Sequence, residues 1–554
     1  MTANNKFTLP ALINESVANY SDKTAAVFAG EGNYTYGEMG EDIQKVATFL
    51  IQSGIKKGDK VAILSTNMPN WGVAFFAISI TGAIAVPILP DFHQNEIYTI
   101  LEHSEAKVLF VSEGLYANVN QKARSLIDHM ILVDNLGVIP DETPQENLLQ
   151  LKSILASMQK KPLNVEVEEE DLASIIYTSG TTGNSKGVML THKNLAYNTL
   201  QCYKLQEINP SDRFLSVLPL SHTLENTVGF LLPMKYGASV HYLRKPPVAS
   251  VLLPALQKVK PTLMLTVPLI IEKVFRSKIL PTFQKSRPMR TLYSVPAIRK
   301  ILHKIAAKKL YKTFGGKLHF FGIGGAKLDP TVERFLQEGN FPYAIGYGLT
   351  ETSPLLAGAV PYKTKLGSTG VAVEGVQLRI ANADPATDEG EIQAKGPNVM
   401  RGYYKAPELT KEIFTEDGWF KTGDRGLFDK NNNLYVKGRI KTMIVGASGE
   451  NIYPEEIESV INRMRFVLES LVVEKKGKLV AMIHLNRDEI DQNFKNMKEE
   501  AQHYIHEKSD EILNEIHKKV NEELNKFSRI QKVVLQPSPF EKTPTKKIKR
   551  FLYA

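Results

Sequence analysis

The chain has 554 residues, 43% hydrophobic and 23% charged, an ordinary globular composition spread over a length too great for one simple core. Its net charge of +9 suits polyanionic ligands or peripheral contact with an anionic membrane; the absence of zinc-ligand spacing and a single terminal basic cluster count against nucleic acid. The one cysteine, Cys202, excludes an internal disulfide and points to a reducing, cytoplasmic compartment.

Residues 1–6 lack the apolar core of a signal peptide. Residues 61–90 contain no Asp, Glu, Lys or Arg, yet Pro69, Gly82 and Pro87 break the run, so it reads as a strand (60–65), a buried helix (71–81) and a second strand (83–88) rather than a membrane span. Residues 172–177 form a short apolar run of the kind that makes a buried strand. Similar runs at 213–218, 238–243, 318–323 and 341–347 alternate with helix-length segments, which predicts parallel sheets covered by helices. After about residue 358 the pattern changes to short runs (377–380, 391–394) between turn clusters, the mark of a small antiparallel or barrel-like unit. From about 443 it becomes mixed. Residues 454–461 open with Pro and carry acids in their first turn, a helix start, and 489–525 read as solvated helices.

The segment after the 172–177 strand carries the chemistry. Thr178, Ser179, Gly180, Thr181, Thr182, Gly183, Lys186 and Gly187 fall within ten residues. Glycines let backbone amides close on oxyanions, the hydroxyls add donors and Lys adds charge. The common P-loop is excluded, because Ser185 stands where its second Gly should be.

Residues 177–187 resemble the signature loop of the adenylate-forming acyl- and aryl-CoA synthetases. Further motifs of that family follow in order at 346–354, 418–425, 438–441, 449–458 and 542–550. The resemblance implies an α/β fold. A large N-terminal body over 1–440 would contain two doubly wound parallel-sheet halves to about 358 and a barrel-like unit at about 359–440. A mobile α+β lid would cover 441–554. It also implies ATP, Mg2+ and CoA as co-substrates and cofactor. Thr178 to Gly183 would wrap the pyrophosphate beside Lys186; Thr350 would bond the α-phosphate; Glu351, with Thr178, would hold the metal. Tyr347 and Gly348 would flank adenine, with Gly324, Gly325 and Ala326 giving close backbone access. Asp424 and Arg439 would bond the ribose. Lys441 would be the hinge, and Gly449 would border the pantetheine path. Lys547 would be the adenylation lysine, with Lys546 standing where the family often has Gly.

Residues 218–226 and 266–273 look most like the long-chain fatty acyl branch, which implies a fatty acid substrate and places His222 at the wall between acyl and pantetheine channels. Chain length and oligomeric state stay open. Two alternatives remain: transfer to a carrier protein in place of CoA, and a binding protein without catalysis. Only eleven residues separate Lys441 from Tyr453, too few for the insertion of stand-alone acyl-AMP ligases, which favours CoA.

Overall fold

The computed structural model describes residues 6–141, 143–161, 163–179, 185–445, 451–475, 477–487, 490, 501–543 and 547–553. Two eight-stranded sheets form the bulk of the chain. In the first, Leu172–Ser179, Ile84–Ile88, Lys60–Leu64, Ala106–Val111 and His129–Leu132 run parallel in that order. In the second, Ala26–Phe28, Ser239–Tyr242, Arg213–Leu215, Leu263–Thr266, Phe320–Ile323 and Tyr343–Gly348 run parallel, and Leu355–Gly358 and Val371–Ala372 add antiparallel strands at one edge. The apolar runs seen in the sequence supply strands such as Ile84–Ile88 and Leu263–Thr266, which are buried on both faces.

The uncharged stretch after residue 60 is the seam between the halves. Helix Pro69–Ile80 starts with Pro at its first position and buries ten residues from Trp71 to Ile80. Trp71, Phe75 and Phe76 pack against Phe230 from the second half, with ring centroids 5.2–6.3 Å apart. Gly72 permits this approach, since a Cβ there would lie 2.8–2.9 Å from Met39 and Phe230. Among the described residues no helix is long and apolar enough to cross a membrane.

The unit expected to be barrel-like is an open antiparallel sheet of four strands, Gln377–Ala381, Gly390–Lys395, Phe420–Phe428 and Leu434–Arg439. Four strands are too few to close on themselves around a core. A two-residue strand from the same stretch, Gly402–Tyr403, leaves it and pairs with Ser185–Thr191 in the first sheet. The C-terminal region has its own core around the sheet Val467–Lys475, Lys478–Leu485 and Lys532–Leu535, flanked by helix Pro454–Ile461. Helix Ala501–Glu523 corrects the expectation of solvated helices at 489–525. Ile512, Leu513, Ile516 and Val520 sit on one face of it and are buried against that sheet.

Candidate active site

The predicted phosphate segment is a β-hairpin rather than a loop entering a helix. Strand Leu172–Ser179 returns as Ser185–Thr191, with Thr178 opposite Lys186 and Ser179 opposite Ser185. Lys186 therefore rides a strand, and its position is set by sheet register. Gly187 lets the strands close, as a Cβ would lie 2.8 Å from Ile175 Cγ2. Gly180, Thr181, Thr182 and Gly183 lie outside the described residues, as do Gly449 and Lys546.

The strand Ser185–Thr191 touches the turn Thr350–Thr352, which brings Lys186 towards Glu351. Glu351 Oε1 accepts a hydrogen bond of 2.8 Å from the Tyr403 hydroxyl, and the Lys186 ammonium lies 5.3 Å from the centroid of the Tyr403 ring. Burial, then the charge of Lys441, holds Lys186 below the usual lysine range, against the pull of Glu351 and Glu412. The turn is anchored from below: the Asn398 side-chain amide donates to the carbonyls of Thr352 and Leu355, both at 2.9 Å, and Met400 N–H donates to Glu351 O. Gly348, just before the turn, has no room for a side chain, because a Cβ would sit 1.8 Å from Pro354 O.

Tyr347, Asp424 and Arg439 meet above this turn. Asp424 and Arg439 are cross-strand partners, and Arg439 Nε lies 2.8 Å from Asp424 Oδ1. The Tyr347 hydroxyl donates to Asp424 Oδ2 at 2.7 Å. Asp424 is only 4% exposed, and burial raises its carboxyl above the usual range, although Arg439 and Tyr347 oppose the shift. Each oxygen of Asp424 has one protein donor and keeps a lone pair for another.

Gly324, Gly325 and Ala326 follow strand Phe320–Ile323. Gly325 has φ +86°, and a Cβ there would meet only Val267 Cγ1 at 3.7 Å, so backbone faces open space. Gly324 packs beside Leu224, two residues from His222. His222 Nδ1 accepts from Leu224 N–H at 3.3 Å, which leaves the proton of the neutral ring on Nε2. Burial, then the charge of Lys547, pushes the imidazole down to about 4.

Lys547 arrives from the C-terminal region. Thr543 N–H donates to Lys547 O at 2.7 Å, and Lys542 bridges Ile548. Lys547 is exposed overall, and its charge is felt by the groups of this site. There burial, then Arg439, lowers its pKa, while Asp424 and Glu351 pull it up. Contacts across the two regions fix this placement: Lys327 to Glu456 at 2.8 Å, Arg463 to Asp329 at 3.6 Å, and the Tyr453 hydroxyl to Glu389 at 2.7 Å. Lys441 lies in the turn Ile440–Thr442, exposed, where its charge acts on Lys186.

The structure thus gathers Lys186, Glu351, Tyr347, Asp424, Arg439, His222 and Lys547 around one cleft. The profile described as AMP-binding enzyme matches residues 13–404. This chain belongs to that family. It is 29% identical to the long-chain-fatty-acid–CoA ligase heimdall of Drosophila melanogaster, over 82% of this chain and 72% of the relative. It is 28% identical to the chloroplastic long-chain-fatty-acid–[acyl-carrier-protein] ligase AEE15 of Arabidopsis thaliana, over 87% of this chain and 76% of the relative. The fold matches ATP-bound MatB from Rhodopseudomonas palustris with a TM-score of 0.77 at 24% identity, covering 99% and 98% of the two chains. Two residues that sequence reading missed also contact the turn that carries Glu351 in this AMP-binding enzyme. Tyr403 supplies the hydrogen bond to Glu351, and Asn398 the support beneath the turn; neither has a spacing to its partner that marks it in the sequence.

Proposed function

We propose that this protein activates a medium- to long-chain fatty acid with ATP and Mg2+ to an acyl-adenylate, releasing pyrophosphate, and then passes the acyl group to CoA with release of AMP. One observation carries the reading: three cations on separate elements, Lys186, Arg439 and Lys547, converge with Glu351 and Asp424 on one cleft. A carboxylate and the α-phosphate of ATP repel each other, and fixed cations aimed at the developing charge lower that barrier.

The donor set fits Mg2+. Among the described residues no group of three or more His, Cys, Asp or Glu forms a self-sufficient metal cage. A hard cation that keeps its waters needs only one or two protein oxygens beside substrate phosphates, and Glu351 with Thr178 would hold it. The ion would neutralise phosphate charge. Tyr403 orients the Glu351 carboxylate for this task. Asp424 would accept from the ribose hydroxyls with its remaining lone pairs while Arg439 and Tyr347 keep it in place. Lys547 would neutralise the carboxylate and α-phosphate oxygens together. Neutral His222 would offer Nε2–H to an acyl oxygen at the channel wall.

The likeness of residues 218–226 to the long-chain branch and the relatives in that class support the fatty acyl substrate. The short span from Lys441 to Tyr453 favours CoA as acceptor, whereas the acyl-carrier-protein relative keeps a carrier in view. The test is AMP and pyrophosphate release with acids from acetate to stearate, with CoA, with a carrier protein and with neither. Long acids with CoA should give the highest kcat/KM. Discrimination should grow by about 0.8 kcal/mol per buried methylene until the groove is full. Acetate or benzoate ranking first would overturn the substrate, and ADP as product would overturn adenylation.

A further inference from the structure

We propose that helices Arg287–Ser294 and Pro296–Thr313 form a docking surface for an anionic lipid bilayer. Residues 273–317 contain thirteen Lys or Arg and no Asp or Glu, a local charge larger than the +9 of the whole chain. Arg276 and Arg299 are spent on ion pairs with Glu272, Asp329 and Glu338. Lys300, Lys304, Lys308, Lys309 and Lys312 are exposed and make no ion pair among the described residues. This is a second basic cluster, internal to the chain, beside the terminal one noted from sequence.

Charge alone would make a solvated helix. The apolar residues make the difference. Helix Pro296–Thr313 already has an inner face, burying His303, Ala307 and Leu310. On its opposite side Ile301 and Ile305, one turn apart, are 59% and 64% exposed, and Lys308 and Lys312 continue the same stripe. Helix Arg287–Ser294 buries no residue at all, and Leu292 and Val295 beside it are 44% and 42% exposed. The platform is nevertheless fixed. Tyr293 stacks on Phe283 with centroids 4.9 Å apart, its hydroxyl lies 2.9 Å from His303 Nε2, and Arg299 pairs with Glu338 at 2.8 Å. Aliphatic side chains ringed by unpaired lysines match the boundary of an acidic bilayer, where the first enter the acyl region and the second meet headgroup phosphates. Nucleic acid offers the phosphates but nothing for exposed isoleucines. The proposal stands whichever acid the site activates.

Co-sedimentation of the full-length protein with phosphatidylcholine vesicles, with and without phosphatidylglycerol, tests this. Partitioning should be at least about ten-fold stronger on the acidic vesicles and should weaken with salt. Ile301→Ser with Ile305→Ser, and separately Lys304→Glu with Lys308→Glu, should each lower it about ten-fold or more, with melting temperature and AMP formation from a water-soluble acid unchanged. Equal partitioning on both vesicles, or variants that bind as well as the parent, would overturn the proposal. So would variants that lose affinity for an acidic carrier protein while vesicle binding stays as it was.

Discussion

Replacing Lys547 by Ala separates the two half-reactions. The five charged groups of the cleft, Lys186, Arg439, Lys547, Glu351 and Asp424, sum formally to +1, and the substitution brings them to 0. Loss of one preorganised charge from a site of this kind costs about 3–4 kcal/mol in the transition state, so acyl-adenylate formation should fall about 10²–10³-fold. Lys547 lies on the C-terminal region, and if that region rotates about Lys441 after adenylation, thioester formation proceeds without it. Given preformed acyl-adenylate, the variant should make acyl-CoA within about a factor of two to three of the parent rate. ATP–pyrophosphate exchange reads the first step, and rapid-quench transfer from acyl-adenylate reads the second. In the parent, the lowered pKa of Lys547 means its charge is lost at a lower pH than the ordinary 10.5, so the alkaline limb of adenylation should fall below that value and vanish in the variant. Equal slowing of both steps refutes the reasoning. Lys546→Ala then decides whether the neighbouring lysine carries the role or no rotation occurs.

Tyr403→Phe removes a 2.8 Å bond to the Glu351 carboxylate, worth about 1.5–3 kcal/mol, while the ring stays packed. Turnover should drop ten-fold or more with a raised Mg2+ requirement and little change in melting temperature; an unchanged Mg2+ titration would exclude the role given to Tyr403. Gly348→Ala places a methyl 1.8 Å from Pro354 O, so the turn carrying Glu351 must shift by about 1 Å, which should cost roughly 10²-fold in kcat. Full activity of that variant would show that the turn is not fixed from this side. His192, fully buried, has its pKa pushed down by burial to about 4. Between pH 4 and 6.5 the unfolded chain therefore binds a proton that the folded one largely does not, and stability falls on acidification, by about 1.6 kcal/mol from pH 6.5 to 5 for this group. Urea denaturation should show a flatter acid limb for His192→Gln than for the parent, and parallel limbs would contradict the assignment.

The parallel strands read from the sequence were legible as short apolar runs, most of them largely buried, as at 84–88 and 320–323; those at 26–28, 106–111, 129–132 and 263–266 were not singled out. The helix at 501–523 was misread although Ile512, Ile516 and Val520 repeat every four residues; the surrounding charge masked a narrow apolar stripe. The site residues were nameable through ordered motifs, yet their mutual geometry was not. Nothing in the sequence says that Lys186 begins a return strand, because Ser185, Lys186 and Gly187 have the composition of a loop and only pairing to Leu172–Ser179 makes them extended. Nor does any local rule join residue 403 to residue 351, a contact that tertiary packing alone creates.

The two-residue strand Gly402–Tyr403 has a consequence for how the protein acquires activity. It ties a stretch beyond the second sheet to Met189 and Val188 in the first, and Tyr403 at its end reaches back to Glu351 in the turn between two strands of the second. The cleft is thus closed by contacts of very large sequence separation, which are the last to repay their loop-closure entropy. On refolding, secondary structure should return well before turnover does. A chain cut between the second sheet and residue 402 should keep much of its helix and strand content while holding no assembled site, so that catalysis reports on the completed topology rather than on any one half.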